Sequence, residues 1–166
     1  MVPEEKPGIL QRIGGRLSQA WHSPVYDAYL PLYAWHNRFM YDHDHVHGYN
    51  ENPWGLGFGR SFVDEDGDWH VLYAMGFMDS FNKFEPIVGY GFLKNWRPFG
   101  SDGLRLGGGY TLGITARENY NYIPLPLPLP MAGVGYGRFD IQAVYIPSDY
   151  NAGNVLFAWF RWSFGE

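Results

Sequence analysis

Residues 72–92 have the sequence LYAMGFMDSFNKFEPIVGYGF, and this stretch decides the fold. In its first segment, which begins upstream at Trp69, every odd position up to Phe77 is large and apolar, while the even positions are smaller or mixed. In its second segment, large apolar residues alternate with Gly89 and Gly91. Alternation with period two is typical of a β-strand with two different faces. The stretch therefore predicts two strands joined by a short polar turn.

The same alternation continues along the chain and predicts eight strands, separated by turn signals such as Asp66-Gly67 and Ser148-Asp149. The predicted strands cover residues 29–39, 54–62, 69–77, 84–96, 104–117, 125–137, 138–147 and 154–164. A chain of 166 residues suits one domain. We therefore expect a single domain over residues 1–166, with the strands in residues 26–164.

The two faces of these strands predict a membrane environment. One face carries mainly Gly, Thr, Ser and Arg, which are too small or polar to fill a core, and the other carries Trp, Tyr, Phe and Leu. So large an apolar surface is stable only in contact with lipid, and each strand is long enough to cross a bilayer at a tilt. We expect an all-β fold, an eight-stranded antiparallel outer-membrane β-barrel. In this barrel Gly57 and Gly109 should face inward. Tyr73, Tyr90 and Leu112 should face outward.

One amphipathic α-helix is predicted before the barrel, at residues 8–21. Its apolar residues recur at every fourth position, and its other face is polar; the apolar residues are Ile9, Ile13, Leu17 and Trp21. An apolar stripe with arginines beside it fits a helix on a membrane surface, and it also fits a helix packed on its own domain.

Composition and terminal sequence exclude several classes of function. A net charge of -5 with only 12 Lys and Arg residues argues against a nucleic-acid partner. The chain has no cysteine and therefore no disulfide, thiol nucleophile or thiolate metal site. Its start, MVPEEKPG, lacks the apolar core of a signal peptide, so we interpret the sequence as the mature form of an exported protein. Alternating Asp and His residues at 42–47 resemble a metal site, but a solvated loop is the ordinary outcome, and we expect neither a metal nor a cofactor.

Glycines on the predicted inner face indicate a narrow internal space. They are Gly55, Gly57, Gly89, Gly91, Gly107, Gly109, Gly133 and Gly135. Near residues 125–131 and 155–159 the same face is apolar. Such a slot suits one acyl chain, although glycine can also simply relieve crowding in a small, strongly sheared barrel.

Several segments of the chain resemble the PagP family of lipid A palmitoyltransferases, which are outer-membrane enzymes. They include Trp35-His36-Asn37-Arg38-Phe39, Asn52-Pro53-Trp54-Gly55, Glu85-Pro86-Ile87-Val88-Gly89-Tyr90-Gly91, Asn121-Tyr122-Ile123-Pro124-Leu125-Pro126 and Val134-Gly135-Tyr136-Gly137. The resemblance covers nearly the whole chain. It implies transfer of a palmitoyl chain from a glycerophospholipid donor to a hydroxyl group of a lipid A acceptor. It also implies the outer membrane of a Gram-negative bacterium, and we expect a monomer.

The resemblance assigns the catalytic roles to His36, Asp79 and Ser80. Acyl transfer between oxygens needs a base for the incoming hydroxyl and an acid for the leaving alcohol, and histidine suits both near neutral pH. A carboxylate can orient the ring, and Ser80 can be either an acylated nucleophile or a hydrogen-bond donor to the oxyanion. In the family, the glycine that corresponds to Gly91 forms the floor of the acyl pocket.

Proline clusters predict two gaps in the barrel wall. Proline removes a hydrogen bond from the ladder, and a closed barrel has no free edge to tolerate it. In the family such seams admit lipids laterally, which gives that role to Pro31, Pro53, Pro126, Pro130 and Pro147. The alternative is a frayed rim without lipid traffic.

A second function fits the same fold, namely a non-catalytic barrel that serves as an adhesin, a membrane anchor or a resistance protein. His36 together with Asp79 and Ser80 on one rim, above a glycine-lined interior, favours the enzyme.

Overall fold

The computed structural model describes residues 6–42, 44, 48–100, 103–148 and 154–165. The elements whose bounds lie within these residues are one α-helix, eight strands and a short 3₁₀-helix. They are α1 (Ile9–His22), β1 (Val25–His36), β2 (Gly55–Val63), β3 (Trp69–Met78), β4 (Phe84–Trp96), β5 (Leu104–Thr115), the 3₁₀-helix (Glu118–Tyr120), β6 (Leu125–Tyr136), β7 (Phe139–Ile146) and β8 (Val155–Phe164).

The strands form one closed antiparallel barrel, in which each strand pairs with its neighbours in sequence and β8 pairs with β1. The predicted eight-stranded fold is confirmed. The largest difference is in β1, which runs from Val25 to His36 instead of covering residues 29–39. The chain leaves the ladder after His36 because a turn follows, in which the Met40 N–H group donates to the Asn37 carbonyl at 2.9 Å.

Most strand faces agree with the prediction. Gly57 and Gly109 pair with buried residues of neighbouring strands and face the interior, because directly opposite residues share a face. Leu112 is 54% exposed on the outer surface, and Tyr90 pairs with it there. The small residues of β2, β4 and β5 therefore line the interior, as expected.

Strand β3 has the opposite orientation, so the prediction that Tyr73 faces outward is wrong. The Tyr73 hydroxyl group lies 2.6 Å from Thr111 Oγ1 inside the barrel, and Trp69, Val71 and Met75 are buried on the same face. These large side chains stand opposite glycines of both neighbouring strands, Gly57 and Gly59 on β2 and Gly89 and Gly91 on β4. Because the glycines leave space inside the wall, one strand of bulky residues fills it.

Paired charges lie at one end of the barrel interior, and mainly apolar side chains line the cavity between them and the polar rim at the other end. At the end that carries the β2–β3 turn, Arg161 lies 3.1 Å from Asp27 and 2.5 Å from Asp140. Arg105 lies 3.2 Å from Asp140 as well. The paired charges neutralise one another and occupy this half of the barrel, beside a smaller pocket of about 190 Å³. The open half therefore lies at the opposite end, near His36.

Two ladders stop short and leave gaps in the wall of that open half. Strand β1 pairs with β2 only over residues 25–29, although β1 continues to His36. Strand β6 pairs with β7 only over residues 131–136, although β6 begins at Leu125. The two gaps interrupt an otherwise continuous barrel at the end where the cavity lies.

Helix α1 lies outside the barrel against β2 and β3. It begins after Gly8, whose N–H group donates to Gln11 Oε1 at 3.0 Å. Arg16 anchors it, with Nη2 3.4 Å from Glu65 Oε1 and the guanidinium 6.0 Å from the centre of the Phe62 ring. The predicted helix is confirmed with a shift of one residue, and most of its apolar stripe is exposed: Ile9, Ile13 and Trp21 are 68%, 51% and 63% exposed. In the described part of the chain, no helix has the length and apolar character needed to cross a membrane.

Candidate active site

A cavity of about 530 Å³ occupies the half of the barrel that the charged cluster leaves open. Apolar side chains of β3, β6, β7 and β8 form its walls, among them Val71, Met75, Leu127, Leu129, Val144 and Phe157. Trp69 and Gln142 form its closed end, because both also line the smaller pocket on the charged side. His36, Asp79 and Ser80 line its open end. Its volume lies within the range of about 300–1,000 Å³ that is usual for small-molecule sites.

His36 and Ser80 meet at the open end of this cavity. His36 is the last residue of β1 and is 1% exposed, and Ser80 lies in the turn between β3 and β4. The His36 Nε2 atom is 2.9 Å from Ser80 Oγ. When Nε2 carries no proton, it accepts a hydrogen bond from the hydroxyl group, which is the arrangement of a general base with its proton donor.

Asp79 lies in the same turn but contacts other partners. Its Oδ1 atom accepts hydrogen bonds from the N–H groups of Phe81 at 2.8 Å and Lys83 at 3.0 Å. Its Oδ2 atom is 3.9 Å from Arg117 Nη2, and Asp79 as a whole is 5% exposed. The carboxylate therefore fixes the turn that carries Ser80.

Glu51, which the sequence analysis did not single out, lies against the other ring nitrogen of His36. Its Oε1 atom is 3.1 Å from His36 Nδ1. Arg38 binds the same carboxylate in a bidentate manner at 2.7 and 2.8 Å, and the Tyr33 hydroxyl donates to it at 2.9 Å. Burial by itself raises the pKa of Glu51, but the hydrogen bonds from Arg38, His36 and Tyr33 outweigh it and lower the pKa to about 2. Glu51 is therefore ionised at neutral pH.

Two tyrosine rings enclose the imidazole. The ring of Tyr49 stacks on His36 with 4.6 Å between centroids, and the ring of Tyr41 meets it edge-on at 5.4 Å. Glu51, Tyr49 and Tyr41 lie in bends or irregular chain between β1 and β2 and belong to no helix or strand. The one signal near Glu51 is the adjacent segment Asn52-Pro53-Trp54-Gly55, which carries part of the family resemblance.

Gly91 lies on the inner face of β4, beside the closed end of the cavity. A Cβ atom added there would lie 2.9 Å from Val71 Cγ1, 3.7 Å from Trp69 Cζ3 and 3.8 Å from Met131 Sδ. All three side chains line the cavity. A side chain at position 91 would therefore reduce the space at the closed end.

The five prolines proposed for lateral access lie beside the two gaps. Pro53, Pro126 and Pro147 line the cavity. Pro31 lies at a register shift in the β1–β8 ladder. Pro130 directly precedes Met131, where the pairing of β6 with β7 begins. The gaps and the cavity are therefore adjacent.

The alternating Asp and His run at residues 42–47 lies mostly outside the described residues, because the structure describes only positions 42 and 44 of it. Among the residues that the structure describes, no group of three or more His, Cys, Asp or Glu side chains could hold a metal ion.

Comparisons with known proteins identify the family. A family profile described as "Antimicrobial peptide resistance and lipid A acylation protein PagP" matches residues 16–161. The chain is 57% identical over 153 residues to "Lipid A acyltransferase PagP" of Enterobacter lignolyticus, covering 92% of this chain and 80% of the relative. It is 51% identical over 160 residues to the protein of the same name from Yersinia enterocolitica, covering 96% and 78% of the two chains. The protein of that name from Dickeya chrysanthemi is 55% identical over 159 residues, with 95% and 82% covered. This chain therefore belongs to the PagP family.

Proposed function

We propose that this protein transfers a palmitoyl chain from a glycerophospholipid to a hydroxyl group of lipid A, at the site formed by His36 and Ser80. Its relatives are named lipid A acyltransferases, and the chain matches them over nearly its full length. The single observation that carries the proposal is the 2.9 Å contact between His36 Nε2 and Ser80 Oγ at the open end of an apolar cavity. The cavity takes the hydrocarbon chain, and the donor ester then lies at the rim beside the base.

The reaction needs two proton transfers, one from the attacking hydroxyl group to His36 and one from His36 to the leaving oxygen. His36 Nε2 removes a proton from the attacking hydroxyl group, which adds to the carbonyl carbon of the donor ester. When the tetrahedral intermediate collapses, the bond to the donor glycerol oxygen breaks, and the imidazolium returns the proton to that oxygen. One ester bond forms and one breaks, so no cofactor is consumed.

Ser80 has one of two roles in this scheme. As a nucleophile it is acylated first and passes the chain to lipid A in a second step. As a hydrogen-bond donor it stabilises the oxyanion while lipid A attacks directly. Mass spectrometry of the intact protein, incubated with donor and without acceptor, separates the roles: only the first gives a protein heavier by one acyl group, and Ser80→Ala abolishes that species.

The two gaps in the wall support lateral entry and exit of lipids. Both lie in the half of the barrel that holds the cavity, and Pro53, Pro126 and Pro147 line the cavity beside them. A lipid tail can enter through a gap without leaving the apolar phase, whereas entry from above would pass through water. Asp79 acts in this proposal through the turn that carries Ser80.

We place the protein in the outer membrane of a Gram-negative bacterium as a monomer. The closed barrel and the exposed apolar residues of its outer face support this location. A barrel that closes on itself satisfies its backbone hydrogen bonds within one chain and needs no second copy to do so.

Mass spectrometry of lipid A tests the proposal. Purified protein in detergent is incubated with lipid A and one defined phospholipid that carries a palmitoyl chain. The expected product is lipid A heavier by one palmitoyl group, formed by the wild type and lost with folded His36→Ala. Unmodified lipid A after incubation with folded wild-type protein would refute the proposal, because the family reaction would then be absent from this chain.

A further inference from the structure

We propose that Glu51 is the positioning residue of His36, which it holds in the tautomer with the proton on Nδ1, so that Nε2 is free to act as the base. This inference rests on the proposed function and names a carboxylate other than the predicted Asp79. Glu51 lies between β1 and β2, and it reaches the imidazole from the side opposite Ser80.

The contacts of the carboxylate fix the tautomer. An ionised carboxylate only accepts hydrogen bonds, so the imidazole nitrogen that faces it must carry a proton. Glu51 Oε1 faces His36 Nδ1 at 3.1 Å, and the proton is therefore on Nδ1. The Nε2 atom then keeps its lone pair and accepts the hydrogen bond from the Ser80 hydroxyl group at 2.9 Å. The opposite tautomer would direct the lone pair of Nδ1 at a negative charge.

Five donors hold this carboxylate in place. Oε1 accepts from Arg38 Nη1 at 2.7 Å and from both Nδ1 and the backbone N–H group of His36 at 3.1 and 3.2 Å. Oε2 accepts from Arg38 Nη2 at 2.8 Å and from the Tyr33 hydroxyl at 2.9 Å. Because His36 contributes a backbone and a side-chain donor to one oxygen, the ring orientation is tied to the end of β1.

The main chain around Glu51 also joins the two halves of the site. The Glu51 carbonyl accepts from the Ala34 N–H group of β1 at 3.0 Å. The N–H group of the preceding Asn50 donates to the Ser80 carbonyl at 2.8 Å. Residues 50 and 51 therefore bridge β1, which carries His36, and the turn that carries Ser80. Asp79, by contrast, holds the backbone of its own turn and faces Arg117.

Three variants test this assignment by the pH dependence of acyl transfer. The groups around the imidazole are Glu51, Ser80, Tyr49 and Tyr41, with the Arg38 guanidinium behind Glu51. Glu51→Gln removes the negative charge that stabilises the imidazolium, so the acid limb of the pH–rate profile should move to lower pH by about one unit or more. The same variant should lose about 10²-fold or more in kcat, with KM changed far less, because the base is no longer held in the reactive tautomer.

Two matched variants serve as comparisons. Tyr33→Phe removes one hydrogen bond from Glu51 but keeps the carboxylate, so the acid limb should stay in place. Asp79→Asn should lower activity by disturbing the Ser80 turn and should also leave the acid limb in place. A shift of the acid limb in Asp79→Asn and none in Glu51→Gln would overturn the assignment.

A second measurement does not depend on activity. The nitrogen chemical shifts of ¹⁵N-labelled histidine report the tautomer, and the His36 signals are identified by their loss in His36→Ala. The wild type should show a protonated Nδ1 and an unprotonated Nε2 at neutral to alkaline pH, and Asp79→Asn should show the same. The opposite tautomer in the wild type would refute the proposal, even if Glu51→Gln failed to fold. If the wild type shows the expected tautomer but transfers no acyl chain to lipid A, the proposed function alone would be refuted.

Discussion

At the scale of single residues, the contact between His36 and Ser80 leads to the first prediction. His36→Ala, Ser80→Ala and Asp79→Ala should each lower the rate of acyl transfer by about 10²-fold or more, because they remove the base, its hydroxyl partner or the carboxylate that fixes the turn. Initial rates of lipid A palmitoylation measure the loss, and near-ultraviolet circular dichroism shows whether the aromatic packing is intact. Near-normal transfer by His36→Ala would remove this residue from the reaction.

Gly91 leads to a prediction about the length of the transferred chain. With hydrogen at this position, the pocket should accept a palmitoyl chain. Gly91→Met should shorten the usable cavity by about three to four methylene groups, each worth about 0.8 kcal/mol of burial. The sum, about 3 kcal/mol, corresponds to roughly a hundredfold change in preference toward shorter acyl chains. Competition between phospholipids of different chain length, followed by mass spectrometry of lipid A, measures this preference.

A matched control separates chain measurement from a general effect of the substitution. Gly108 lies on the outer face of β5, where an added Cβ atom would meet nothing within 4 Å, so Gly108→Met should keep the palmitoyl preference. Overpacking against Val71 could cost about 1–3 kcal/mol of stability, so thermal unfolding is recorded for both variants. A folded Gly91→Met protein that still prefers the palmitoyl donor would show that Gly91 is not the floor.

At the scale of strands, the unpaired part of β6 yields a prediction about lipid access. In the double variant Pro128→Val and Pro130→Val, two backbone donors return, and the β6–β7 ladder can extend past Met131. Each restored hydrogen bond is worth about 0.5–1.5 kcal/mol, so the two together would make opening the gap roughly thirtyfold less favourable. The value of kcat/KM for a phospholipid donor should fall by about that factor, as measured by initial rates in mixed micelles.

The control for this experiment is Pro86→Val in β4, where the proline pairs with Gly76 inside a continuous ladder. This variant also removes a proline but closes no gap, so kcat/KM should change little. Amide hydrogen exchange at the ends of β6 and β7 reports whether the ladder has extended. An extended ladder with unchanged kcat/KM would argue that lipids do not use this gap.

Strands also show what the sequence could and could not predict. In β5, glycine and threonine alternate with leucine and tyrosine, and the small face lies inside as expected. In β3 the sequence predicts the two faces correctly but assigns the wrong one to the interior. The large residues of β3 face inward because glycines of β2 and β4 lie opposite them, and this pairing depends on the strand register. Alternation can be read from one strand alone, whereas the face that packs inside a barrel depends on the strand and both of its neighbours.

The site was predictable to a similar degree. His36 and Ser80 came from the family resemblance, and they lie together. Glu51 was missed because it approaches His36 from residues 48–54, which form neither helix nor strand, so residue spacing carries no geometric information there. Its position depends on contacts with Arg38, Tyr33 and the backbone of β1, which belong to the folded chain.

At the scale of the whole molecule, the outer surface determines behaviour in solution. Large apolar side chains are exposed around the barrel, including Trp54 at 69%, Phe58 at 58%, Trp96 at 64% and Leu112 at 54%. Without detergent the protein should aggregate, because water cannot stabilise so large an apolar surface. In detergent it should elute as a single monomeric species, as size-exclusion chromatography with light scattering would show. A monodisperse protein in detergent-free buffer would contradict the membrane assignment.

The charged cluster of Asp27, Asp140, Arg105 and Arg161 has a consequence for the cell envelope. Because the cluster crosses one end of the barrel interior while the cavity occupies the other, we expect the interior to be closed at the charged end and not to form a pore. A cell could therefore make many copies of the protein without creating leaks for ions or small antibiotics. Inserted into a planar bilayer, the barrel should add no measurable conductance, so the membrane remains a permeability barrier while its lipids are modified.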